Sequence, residues 1–243
     1  MRYFIEFAYK GKNFHGFQKQ PNASSIQETL ENALSLILHK NIEITGAGRT
    51  DTGVHAKQMF AHFDCDEVLN NNLVKKLNAF LTKDIAIISI RKVLENSHAR
   101  FDAIERTYEY NIHFNKNPFL SDISWHFKSD LDIHLMNNAC TILKEYTDFE
   151  CFSKKHTDVF TFNCNIKEAF WQNYNDNLVF TITADRFLRN MVRAIVGTMI
   201  NVGSQKISLL EFKKIIESKN RSNAGFSVPA HGLFLTKVKY THI

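Results

Sequence analysis

Cysteine is scarce in this chain and poorly placed for chemistry. The four cysteines, Cys65, Cys140, Cys151 and Cys164, include no Cys-x-x-Cys pair, and none sits at zinc spacing with a pair of histidines. Four thiols could close two disulfides. However, Met1-Arg2-Tyr3-Phe4-Ile5-Glu6 enters a strand pattern directly, without a signal peptide, so the expectation is reduced core thiols in a cytoplasmic protein. No apolar run approaches a membrane span, so no membrane partner is expected. His55 and His62 lack a third ligand at usable spacing, and clustered carboxylates are scarce. A metal site is not expected, and a metal-dependent nuclease or hydrolase is a poor reading.

Glycine is also scarce, at nine residues, and three of these fall in Gly46-Ala47-Gly48-Arg49-Thr50-Asp51-Thr52-Gly53-Val54-His55-Ala56. No apolar periodicity runs through this stretch, so it reads as a tight loop bent at its glycines. It is not a phosphate loop, because Gly-x-x-x-x-Gly-Lys-Ser/Thr is absent and the Gly-x-Gly-x-x-Gly spacing is not met. Nor is it a nucleophile elbow, since no Gly-x-Ser-x-Gly occurs. What it does hold is a cation, a carboxylate and an imidazole within seven residues. Polar glycine loops are also commonly plain turns, and Arg-x-Asp is commonly a structural ion pair.

With 243 residues, 44% of them hydrophobic, the chain can bury a sizeable core as one large domain or two small ones. Thirty Lys and Arg against 25 Asp and Glu leave a formal charge of +5, which suits a nucleic-acid partner without demanding one. Alternation predicts a first strand over Arg2 to Tyr9. Ser25-Ile26-Gln27-Glu28 is a capping box opening a helix that faces inward with Ile26, Leu30, Ala33, Leu34 and Ile37. Short strands are expected at Asn41 to Thr45 and Lys57 to Phe63. A helix through Leu73 to Phe80 follows, capped by Asn70, Asn71 or Asn72, and then a buried strand over Asp84 to Leu94. After a link at Glu95 to Ile104 the order returns. Strands are predicted at Arg106 to Phe114, Cys164 to Trp171 and Leu178 to Ala184, the last two joined by turn chemistry at Asn173 to Asn177. Helices are predicted at Leu131 to Tyr146, at Phe187 to Val202 ending at Gly203, and after a capping box at Ser208 to Glu211. A final strand covers Leu233 to Tyr240. The expected fold is α+β: two ferredoxin-like βαββαβ halves, residues 1–104 and 105–243, with antiparallel sheets side by side and an active-site cleft between them. Sheets rich in aromatics and cations are a common way to hold RNA.

Several residues could carry chemistry. Asp51, kept ionised by Arg49, could be a covalent nucleophile, or simply an Asx-turn carboxylate. Arg186, Arg189 and Arg193, three and four apart on a predicted helix, would form a cationic stripe for phosphates or a carboxylate, or a solvated face. Arg193 sits beside Ile195, Val196 and Gly197, where a cation would want a buried anionic partner. Tyr108 and Tyr110 share one strand face, as core residues or as base-stacking platforms. The loops Phe14-His15-Gly16-Phe17-Gln18-Lys19-Gln20 and Ser97-His98-Ala99-Arg100-Phe101 mix bases and aromatics and could touch RNA.

Taken together, these segments resemble one family. Gly48-Arg49-Thr50-Asp51-Thr52-Gly53-Val54-His55-Ala56 is similar, nearly residue for residue, to the signature of the bacterial tRNA pseudouridine synthase A family. Gly16-Phe17-Gln18-Lys19-Gln20 resembles its Gly-Trp-Gln-Arg-Gln, and Ser25-Ile26-Gln27-Glu28 its Ser-Val/Ile-Gln-Glu. His98-Ala99-Arg100-Phe101, Arg106-Thr107-Tyr108-Glu109-Tyr110, Phe187 to Arg193 and Ala230-His231-Gly232-Leu233-Phe234-Leu235 resemble its later motifs. Phe17 replaces a common Trp, and Thr82 stands where Pro is usual. Both departures bear on RNA contacts rather than on the reaction.

The resemblance implies isomerisation of uridine to pseudouridine in the tRNA anticodon stem-loop, around positions 38 to 40. The N-glycosidic bond breaks, the uracil turns, and it rejoins the ribose through carbon 5, with no cofactor and no metal. It implies that Asp51 is the nucleophile or acts at the ribose, and that Arg49 helps extrude the base and pairs with phosphate. Tyr108 would stack on the base and act on the proton at carbon 5, and Arg193 would pair with Asp51. His55, Gln18, Arg100 and Arg189 join Tyr108 and Arg49 as implied substrate contacts. A homodimer spanned by one tRNA is implied as well. The alternative from the residues alone is a tRNA-binding or tRNA-folding module without turnover.

Overall fold

The structure is a computed structural model that describes residues 1–154, 159–174 and 177–241. The chain is a mixed α+β protein forming two compact units, Met1–Ile104 with Phe234–Ile243, and Glu105–Leu233.

The first unit contains strands β1 (Arg2–Tyr9), β2 (Thr45–Gly46), β3 (His55–Asp64) and β4 (Ile85–Val93), with helices α1 (Ile26–Leu38) and α2 (Leu73–Phe80). β1 is central, antiparallel to both β3 and β4. Its Tyr3, Ile5 and Phe7 are buried as the alternation predicts, but so is Phe4, which meets Tyr240 edge-on at 5.4 Å. β1 is therefore covered on both faces, a pattern that alternation alone does not distinguish. The Ser25 hydroxyl accepts from the Glu28 amide at 3.2 Å and starts α1, which buries Ile26, Leu30, Ala33 and Leu34. The strand expected at Asn41 to Thr45 shrinks to Thr45–Gly46, because side chains of α1 take the amides that a ladder would use. Ile42 N–H donates to Ser35 Oγ at 2.9 Å, and Ile44 N–H to Glu31 Oε1 at 3.1 Å.

The second unit contains β5 (Ala103–His113, whose first two residues belong to the first unit), β6 (Trp125–His126), β7 (Ile166–Tyr174) and β8 (Asn177–Ala184). It also contains α3 (Ile133–Leu143), α4 (Met191–Gly203) and α5 (Leu209–Glu217). β8 lies antiparallel between β5 and β7, and β6 runs parallel beside β5. Of the turn expected at Asn173 to Asn177, residues 175 and 176 lie outside the described residues. α5 opens with the reciprocal Ser208–Glu211 capping box. α3 is shorter than expected, starting after its cap Asp132, whose carboxylate accepts from Leu135 N–H at 2.9 Å. α4 begins at Met191 rather than Phe187, because Asn190 takes a left-handed conformation, φ 66°. Ahead of it, Asp185 Oδ1 accepts from the amides of Asn165 and Arg186 at 2.8 and 2.7 Å and folds 185–190 as a loop.

The last strand, β9, spans Leu233–Tyr240 as its alternation predicts. From Phe234 onward the chain belongs to the first unit, where β9 runs parallel to β3, His55 opposite Phe234 and Ala56 opposite Leu235. All four cysteines are free and buried, and burial pushes the thiols of Cys140, Cys151 and Cys164 up to about 12. No helix among the described residues is long and apolar enough to cross a membrane.

Candidate active site

The Asp51 loop is locked to the segment that follows β1. Thr50 is buried, its hydroxyl 2.7 Å from that of Tyr9, and its carbonyl accepts from Phe17 N–H at 3.1 Å. Gly16, at φ +93°, lies so close that a Cβ there would come within 2.7 Å of the Thr50 carbonyl oxygen. At the other end Gly11 packs against the Val54 carbonyl with no room for a Cβ, and its N–H donates to His55 Nδ1 at 3.0 Å. Between these clamps the chain reverses at Asp51. Val54 N–H donates to the Asp51 carbonyl at 3.1 Å, and Gly53 takes φ +79°. The result is a half-buried carboxylate on an immobilised turn, with Arg49 exposed two residues before it.

His55, implied as a substrate contact, is 1% exposed, stacks on Phe234 at 4.6 Å and braces the loop. The Ser-Ile-Gln-Glu segment is likewise a brace. Ile26 and Gln27 amides donate to the Gly16 and Phe17 carbonyls at 3.2 and 2.9 Å. The Gln27 side chain accepts from Lys19 N–H at 3.0 Å and donates to Glu31 and to the Ile44 carbonyl. Gln18 and Arg100 are exposed. Tyr9, Gln27 and Glu31 are the supports that sequence reasoning missed. Only the capping box hinted at them, since its intervening Gln has no role in capping.

In the second unit Tyr108 sits on β5 opposite Ile182, half-buried and edge-on to Phe187 at 5.1 Å. Beside it, the Thr107 and Thr183 hydroxyls pair at 2.9 Å. Tyr110 takes the core alternative. It is fully buried, donates its hydroxyl to the Pro229 carbonyl at 2.9 Å, and has its pKa raised by desolvation. Gly232 packs on its ring so tightly that a Cβ would come within 2.8 Å.

The arginine stripe is not formed. Arg186 and Arg189 precede α4, and only Arg193 is helical, because the left-handed Asn190 breaks the spacing. Arg189 is exposed, with its carbonyl accepting from Lys154 N–H at 3.0 Å. Arg193 is half-buried, and its Nε donates to the Val228 carbonyl at 2.7 Å. The Val228 amide in turn reaches the Arg193 carbonyl at 3.3 Å, which ties the segment after Gly225 to α4. Arg49, Asp51, His55, Gln18 and Arg100 thus belong to the first unit, and Tyr108, Arg189 and Arg193 to the second. No group of three or more His, Cys, Asp or Glu that could hold a metal ion occurs among the described residues.

A carboxylate on a glycine-bent turn thus lies in the first unit, and a half-buried tyrosine and a half-buried arginine lie in the second. Comparison with known proteins identifies the family. The family described as tRNA pseudouridine synthase matches residues 6–102 and 146–241. A protein named tRNA pseudouridine synthase A from Azobacteroides pseudotrichonymphae is 51% identical over 240 residues, 98% of this chain and 96% of the relative. Its namesake in Parabacteroides distasonis is 50% identical over 241 residues, 98% and 96% of the two chains. The one in Dictyoglomus thermophilum is 38% identical over 243 residues, 97% and 98% of the two chains. The chain belongs to the tRNA pseudouridine synthase family, and it is an isomerase that acts on tRNA.

Proposed function

We propose that this protein converts uridine to pseudouridine in the anticodon stem-loop of tRNA, around positions 38 to 40, with Asp51 as nucleophile. The observation that carries this reading is the clamped turn at Asp51. An attacking carboxylate needs a backbone that is held still, and the bonds at Thr50 and Val54 on either side of the half-buried Asp51 support that reading. The bond from ribose carbon 1 to uracil N1 breaks, the freed uracil turns, and a bond forms from the same carbon to uracil carbon 5. Carbon 5 loses its proton and N1 ends with one, so substrate and product are isomers. On this reading Arg49 assists extrusion of the base, Tyr108 stacks on it and acts at the carbon 5 proton, and Arg193 pairs with the Asp51 carboxylate. Arg189, Gln18 and Arg100 contact the RNA. The enzyme works as a cytoplasmic homodimer without cofactor or metal. The two units are ferredoxin-like halves, a reading supported in the first by the antiparallel order of β4, β1 and β3.

The test is pseudouridine formation on anticodon stem-loops carrying single uridines at each of the three positions. Asp51→Ala and Asp51→Asn should lose activity by at least a thousandfold while binding RNA as wild type does, since removing a covalent nucleophile removes the whole two-step route. Full activity in Asp51→Ala would eliminate Asp51 as nucleophile. Tight binding by wild type with no pseudouridine formed at any position would favour a binding module.

A further inference from the structure

The turn after β4 is held more tightly than an exposed loop requires. Every amide from His98 to Asp102 has an acceptor. His98 N–H donates to Asp102 Oδ2 at 2.7 Å and Ala99 N–H to His62 Nδ1 at 3.1 Å. The Arg100 and Phe101 amides converge on His98 Nδ1 at 3.1 and 3.3 Å, and Asp102 N–H reaches the His98 carbonyl at 3.0 Å. Two carbonyls are taken by side chains from distant strands. Arg2 donates to Ser97 O at 2.9 Å and the Tyr240 hydroxyl to Ala99 O at 2.6 Å. The Ala99 side chain is fully buried and anchors the turn in the core.

On this anchored backbone stand two exposed side chains. Phe101 is 74% exposed, although an apolar ring of that size gains nothing from water. One face has the Arg100 guanidinium 5.7 Å from the ring centroid, and the His98 imidazole lies 4.2 Å away. A single exposed apolar residue is ordinary on a protein surface. An aromatic ring beside a cation, on a turn whose every amide is bonded, is the form taken by sequence-tolerant stacking sites for single-stranded nucleic acid. Stiffness matters there, because a ring already held in place loses little conformational freedom when a base stacks on it.

We propose that Phe101 is a stacking platform for an unpaired nucleobase of the tRNA substrate, with Arg100 meeting a neighbouring phosphate. Stacking is the new element, and it rests on the proposed reading of an anticodon stem-loop substrate, whose loop supplies unpaired bases. His98 is a positioning residue whose unprotonated Nδ1 fixes both amides of the pair.

The experiment uses the full chain and a labelled anticodon stem-loop. Dissociation constants are measured at several salt concentrations, and melting temperatures alongside. Phe101→Ala should raise the dissociation constant about 5- to 150-fold, the range for loss of one base–aromatic stack, with the salt slope and melting temperature unchanged. Phe101→Trp should bind within about twofold of wild type, since any flat ring can stack. Arg100→Ala should flatten the slope of log affinity against log salt by about one, the signature of a lost phosphate contact. Wild-type affinity in Phe101→Ala overturns the proposal. So does Phe101→Trp binding as poorly as Phe101→Ala, or weakened binding accompanied by a lowered melting temperature, which would make the ring structural. If wild type forms no pseudouridine yet Phe101→Ala still weakens binding with Trp rescue, the isomerisation site is misassigned and the platform stands.

Discussion

At the scale of single residues, His62 shows how burial converts a titratable group into a structural one. Its Nδ1 accepts from Ala99 N–H at 3.1 Å, so the ring must stay neutral on that atom. Burial, with Arg2 and His98 nearby, lowers its pKa from 6.5 to about 4. The unfolded chain therefore takes up a proton between pH 6.5 and 4 that the folded chain refuses. The stability this neutral ring allows is complete above pH 6.5 and is lost as pH falls toward 4, by an amount on the order of 3 kcal/mol. His62→Asn keeps an acceptor in place without titrating. Urea midpoints at pH 7.5 and 4.5 should drop less in the variant than in wild type. Equal drops would show that the acid loss arises elsewhere. From the sequence alone His62 was only half of an incomplete ligand pair, and its partner Ala99, 37 positions away, carried no signal at all.

At the scale of elements, the Asp51 loop depends on glycines outside it. Gly11 sits against the Val54 carbonyl where a Cβ cannot fit, and donates its N–H to His55. Gly11→Ala should cost on the order of 2 kcal/mol and lower the rate of pseudouridine formation more than it lowers RNA affinity, because it displaces the turn carrying Asp51. Chemical denaturation and single-turnover rates check this, and wild-type rate and stability would show that the loop tolerates the shift. The loop itself was legible as a loop, since three of the nine glycines fall in it and no apolar periodicity runs through it. The start of α4 was not. Apolar periodicity runs unbroken from Phe187 through Val192, while a left-handed Asn190 and the Asp185 carboxylate fold the first residues away from the helix. Periodicity records which residues are buried, and a buried loop leaves the same record as a buried helix.

At the scale of the molecule, the last strand is the informative element. Leu233 to Tyr240 was legible as a strand by its alternation, but its allegiance was not. β9 completes the first unit, placing Phe234 under His55 and sending the Tyr240 hydroxyl to Ala99. Ending the chain after Gly232 should therefore damage the unit at the opposite end of the sequence. Hydrogen exchange should show amides of β3 and of residues 98–102 losing protection, while those pairing β7 with β8 keep theirs. Equal loss in both units would mean that they unfold as one.

The sequence by itself determined the family and most of the elements. These are local properties: a loop signature read residue by residue, alternations of two and of about three and a half, and capping pairs three residues apart. Only the tertiary structure decided that His55 and Tyr110 are buried supports, that Arg186 and Arg189 stand off the helix bearing Arg193, and that β9 belongs with β3. Each of these rests on contacts between residues far apart in the chain, and long-range contact leaves no period in a sequence. The same holds for the turn at Phe101, whose stiffness comes from Arg2, His62 and Tyr240 together.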